Sequence, residues 1–99
     1  MGNINIFKIY KTLMVLYNCR SFEVFATHNS RPNCPDEIMI NFYIDVNRKA
    51  DVRRLHRQFE RHICVYNYFL LSEKGKVSLI VQFHRPEQKF KPDLNFCLN

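Results

Sequence analysis

Between Arg48 and Arg61 the chain places six cations, Arg48, Lys49, Arg53, Arg54, Arg57 and Arg61, against only Asp51 and Glu60. A guanidinium can bridge two phosphate oxygens with parallel N–H donors, which an ammonium cannot. At the helical turn of about 100° per residue, Val52, Leu55, Phe59 and Ile63 share one narrow sector, and Arg53, Arg57 and Arg61 form a separate stripe. Like charges one helical turn apart repel by a few tenths of a kcal/mol per pair. That repulsion is tolerable where an anion neutralises it. RNA is the natural partner, with phosphate contacts dominating and affinity falling with salt. The competing reading is a solvated helix face with surplus charge. Arg20, Arg31, Lys74 and Lys76, expected in loops, are secondary RNA-binding candidates.

The remaining reactive residues point to no cofactor and no metal. Cys19, Cys34, Cys64 and Cys97 are widely spaced and form no C-x-x-C pair. A zinc site would show at least one tight ligand pair, and His28 with Cys34 is too loose to stand for one. No secretory signal precedes the cysteines, so a reducing compartment is expected and Cys64 is read as a small apolar side chain. His56 and His62 flank the apolar stripe and are expected at the edge of the core. Only Gly2 and Gly75 exist, too few for a glycine-rich phosphate cradle, and the chain is not expected to be an enzyme. RNA-reading signatures are also missing: no glycine-flanked aromatic strand and no G-x-x-G loop. Recognition of backbone and shape is therefore the economical proposal.

The elements that must hold the arginines are legible from periodicity. Ile6, Ile9, Tyr10, Leu13, Leu16 and Tyr17 follow helical spacing, predicting a helix over about 5–17. Lys8 and Lys11 interrupt that segment and it is too short to span a bilayer. A helix of the fold is expected, with a targeting element as the alternative. Alternation predicts a strand over 20–27, then a loop over 28–36 rich in Asn and Pro. From Glu37 to Val46, Ile38, Ile40, Phe42, Ile44 and Val46 share one face, the period of a half-buried strand. Asn47 is a candidate cap for the arginine helix, expected to run to about His62. Strands over 64–72 and 77–83 follow, joined by a hairpin turn at Glu73–Lys76. One α+β domain over 1–85 is expected, ordered α-β-β-α-β-β, with 86–99 an extended, partner-held or disordered tail. The formal charge of +6, with 46% hydrophobic residues, suits a single-core domain beside phosphate, acidic protein or anionic membrane.

Over residues 17–73 this arrangement resembles the bacterial-type small-subunit ribosomal protein six family, particularly its mitochondrial members. The matching features are Tyr17-Asn-Cys-Arg-Ser-Phe-Glu-Val-Phe, a polar loop over 27–36, the run Phe42-Tyr43-Ile44, the Asp51-Val52-x-x-Leu55 helix and the strand from Val65 to Glu73. The resemblance implies a ferredoxin-like sandwich, β-α-β-β-α-β with sheet order 4-1-3-2. No strand precedes the first helix here. A hairpin from the last matched strand would put Val77–Phe83 in the central slot, a circularly permuted version of the fold. The family also implies a structural protein of the mitochondrial small ribosomal subunit, bound to rRNA and a ribosomal protein eighteen homologue. The alternative is a small non-catalytic α+β ligand-binding or regulatory module.

Overall fold

Two antiparallel ladders meet on the last strand of the fold and place it in the middle of the sheet. The computed structural model describes residues 4–28, 34, 36–63 and 67–83. Its elements are α1 (Ile6–Tyr17), β1 (Ser21–Thr27), β2 (Asp36–Tyr43), α2 (Val52–Phe59), β3 (Asn67–Glu73) and β4 (Lys76–Phe83). The strands form one sheet in the order β1-β2-β4-β3, every pairing antiparallel. This is an α+β fold with an open four-stranded sheet and two helices, compatible with a ferredoxin-like sandwich. β4 occupies the central slot that the permuted arrangement requires.

One face of the sheet carries the core. Ile38, Ile40 and Phe42 of β2, Val77, Leu79 and Val81 of β4, and Leu70 of β3 are buried with Ile6, Ile9, Leu13 and Tyr17 of α1 and Leu55 and Phe59 of α2. The alternation read in the sequence therefore assigns the faces correctly. Val46 departs from it, 72% exposed, because β2 ends at Tyr43 and the chain turns away.

Both ends of α1 have local causes. The Asn5 side chain accepts from the backbone N–H of Lys8 at 3.1 Å, capping the first turn. At the other end Asn18 takes a left-handed conformation (φ 54), and the Cys19 N–H donates to the Leu13 carbonyl at 3.2 Å. Burial pushes the Cys19 thiol up from its ordinary range, so it stays neutral and packs as a small apolar group.

The arginine helix is shorter than its periodicity predicts, and Asp51, not Asn47, caps it. The Asp51 carboxylate accepts from the N–H groups of Arg53 at 3.0 Å and Arg54 at 3.3 Å. Upstream, the backbone is claimed by other elements. The Ala50 N–H donates to Ser72 Oγ at 2.8 Å and the Asp51 N–H to the Tyr17 hydroxyl at 3.1 Å. In a helix begun at Asn47 the Asp51 N–H would close on the Asn47 carbonyl four residues back, and here Tyr17 takes it instead. Downstream, the His62 N–H closes a tight turn on the Phe59 carbonyl at 2.7 Å. Ile63 then bridges to Ile4, and the Asn5 N–H donates to the His62 carbonyl at 2.8 Å. The expected strand start at 64–66, the core role of Cys64, most of the 28–36 loop and the tail lie outside the described residues.

Candidate nucleic-acid interface

The candidate cations divide between helix α2 and the end of the molecule that leads into it. Arg53, Arg54 and Arg57 stand on α2, all exposed, and Arg61 lies in the turn beyond the Glu60 cap. Leu55 and Phe59 fix the opposite side of the helix in the core. Among the described residues no carboxylate lies within ion-pairing distance of these four arginines. Arg53 and Arg54 also occupy the first turn, where the helix dipole disfavours cations. The Asp51 carboxylate offsets that locally.

Arg48 and Lys49 do not project from the helix, contrary to the sequence reading. They lie in the connection between β2 and α2, which is tied to the β3–β4 hairpin. The Ile44 N–H donates to the Gly75 carbonyl at 3.0 Å, and the Gly75 N–H to the Arg48 carbonyl at 3.1 Å. The Arg48 guanidinium is partly committed, donating to the Leu16 carbonyl at 3.1 Å. Lys74 sits at the hairpin tip and Lys76 pairs with Glu73 at 3.5 Å. Arg20 reaches the same end, because its N–H donates to the Tyr43 carbonyl at 3.1 Å and Tyr43 pairs with Lys76 in the sheet. Arg20, Arg48, Lys74 and Lys76 are thus assembled by backbone bonds that no residue spacing announces. Arg31 lies outside the described residues.

Two cations were missed. Lys8 and Lys11 are exposed on α1, and Lys11 lines a shallow groove of about 340 Å³ with Thr12, Val15, Leu16 and Gln58. Burial, then the positive charges of Lys8 and Arg61, hold the His62 imidazole below its ordinary range. Lys8 therefore extends the positive field of Arg61 onto the neighbouring helix. The signal was available: both lysines fall outside the Ile6, Ile9, Leu13 stripe. His62 is half-buried, at the edge of the core as expected. His56 is exposed and packs on Tyr68, with ring centroids 4.8 Å apart and a 2.8 Å bond to its hydroxyl.

The opposite face of the sheet has a different character. It carries Glu23, Glu37 and Glu73 against Lys76, by the alternation of the strands. Among the described residues most cations thus lie on the helices and hairpin end, with Asp45, Asp51 and Glu60 among them, while the other sheet face carries Glu23, Glu37 and Glu73. Among the described residues no group of three His, Cys, Asp or Glu is placed to hold a metal ion. No described helix is long and apolar enough to cross a membrane.

Fold and surface together define a small α+β sandwich with one basic layer. Compared with known proteins, the chain matches no family model, no curated protein and no solved structure.

Proposed function

We propose that this chain is a non-catalytic, RNA-binding structural protein of the mitochondrial small ribosomal subunit. In this reading it contacts rRNA through phosphates and packs beside a ribosomal protein eighteen homologue. The observation that carries the RNA-binding part is the exposure of Arg53, Arg54 and Arg57 on a helix anchored from behind by Leu55 and Phe59, and of Arg61 in the turn after it, without a carboxylate partner among the described residues. An open sandwich of this kind hosts many functions, so the fold alone decides nothing. The ribosomal part rests on the sequence resemblance, supported by the central position of β4.

The division of charge favours binding by the helical side. Phosphates approaching the sheet would meet Glu23, Glu37 and Glu73, whereas those approaching α2 meet, among the described residues, Glu60 and the capping Asp51 amid its cations. Contacts of this type fix position on a nucleic acid without reading its bases. Titration of structured small-subunit rRNA fragments at several salt concentrations tests this. The reading expects steep salt dependence and little preference among sequences of one shape. Binding that ignores salt, or no binding at low salt, contradicts it.

A second reading, a small-molecule or regulatory module, draws on the groove between α1 and α2. Its described lining offers a single charged group, Lys11, and no convergent set of polar groups to orient a ligand.

A further inference from the structure

The face of the sheet that no described helix covers carries a continuous apolar row that the proposed function does not use. Phe25 of β1 pairs with Met39 of β2, Met39 with Ile80 of β4, and Ile80 with Phe69 of β3. The row crosses all four strands, and Leu71 adjoins it on β3. Phe25, Phe69 and Leu71 are 45%, 46% and 53% exposed. Beside the row, Asn41 and Ser78 are buried and satisfy each other, with Ser78 Oγ donating to Asn41 Oδ1 at 2.7 Å. Tyr43 donates its hydroxyl to the Glu23 carboxylate, which pushes the phenol above its ordinary range. The face is therefore apolar across its middle and acidic around it.

Its size argues against a separate macromolecule as the occupant. Four strands spaced about 4.8 Å apart and about seven residues long present roughly 440 Å². Covering that area buries roughly 900 Å² in total, below the about 1,200 Å² at which stable interfaces between separate proteins begin. A tethered segment needs less, because its docking is intramolecular.

We propose that this face is the docking site for the chain's own residues 84–99. These follow directly from Phe83 at the end of the central strand β4. Their sequence supplies matching chemistry. Leu94, Phe96 and Leu98 are two residues apart, the spacing that puts side chains on one side of an extended chain. From Leu94 to Leu98 such a chain covers about 13 Å, close to the about 14 Å that the apolar row takes to cross four strands. Arg85, Lys89 and Lys91 precede them, with Glu87 and Asp93 between, and would meet the carboxylates of Glu23, Glu37 and Glu73. Ile80 lies three residues before Phe83, about 10 Å back along the strand, and the residues between Phe83 and Leu94 can reach more than twice that distance. The inference is independent of RNA binding, which uses the other side of the molecule.

The absence of tryptophan from the chain makes the test direct. In the full chain carrying Phe96→Trp, the single indole reports whether this segment is covered. The proposal expects blue-shifted emission and acrylamide quenching several-fold weaker than for free tryptophan, unchanged on dilution. Adding Phe25→Lys and Phe69→Lys should restore full quenching. Both side chains are already half exposed, so circular dichroism should report the same fold. Full quenching in the parent variant overturns the proposal, as does shielding indifferent to Phe25 and Phe69. Shielding that disappears on dilution overturns it in favour of a second copy on the sheet.

Discussion

The backbone N–H of Gly75 donates to the carbonyl of Arg48 at 3.1 Å, joining the β3–β4 hairpin to the basic segment before α2. Gly75 holds φ at +83, a left-handed conformation that costs other residues about 1–2 kcal/mol. A Cβ there would also meet the backbone of Val46 at 3.4 Å. Gly75→Ala should therefore destabilise the fold by about 1–2 kcal/mol in urea unfolding. It should also weaken RNA binding at low salt by loosening Arg48 and Lys74. A fully stable variant would show that the turn adopts another conformation at no cost.

Removing the arginine stripe tests the interface itself. Each phosphate neutralised contributes about 0.7–0.9 to the slope of log affinity against log salt. Arg53→Gln, Arg57→Gln and Arg61→Gln together should flatten that slope by about 2 and leave thermal stability nearly unchanged. An unaltered slope would return the stripe to a solvated helix face.

Helix α2 offers a paired test of its start. Asp51→Ala removes the carboxylate that accepts from Arg53 and Arg54 and should cost about 1 kcal/mol. Asn47→Ala should change stability little, because no bond of its side chain caps the helix. Equal effects in urea unfolding would contradict the assigned cap.

His62 predicts a pH dependence with a definite sign. Its folded pKa is depressed by burial and by Lys8 and Arg61, so the unfolded chain takes up this proton first as pH falls. Stability should fall as pH drops through about 6.5, the ordinary histidine value, and level off below the folded pKa. His62→Gln should remove that component of the Tm profile. Bound RNA phosphate near Lys8 and Arg61 should raise the His62 pKa, readable by NMR titration. A pKa unmoved by saturating RNA would place the phosphates elsewhere.

The faces of the sheet were legible because β2 and β4 each put an unbroken apolar series, Ile38, Ile40, Phe42 and Val77, Leu79, Val81, on one side and mixed residues on the other, which fixes a period of two. The central place of β4 followed from one hairpin at Gly75 and one vacant slot. What the sequence hid was competition for backbone groups. Asn47 has the chemistry of a cap, but Tyr17, far away in sequence, takes the Asp51 N–H that would otherwise close on the Asn47 carbonyl. In the sequence the six cations therefore look like one helix, whereas Arg48 and Lys49 belong with Arg20, Lys74 and Lys76 at the hairpin end. Long-range hydrogen bonds of this kind leave no periodic trace.

The central claim concerns assembly with RNA, and sedimentation of the tagged protein from mitochondrial extracts tests it most directly. The account predicts co-migration with small ribosomal subunits that survives moderate salt and is lost in the Arg53, Arg57 and Arg61 triple variant. Sedimentation near free protein, with no small-subunit RNA recovered, would contradict it.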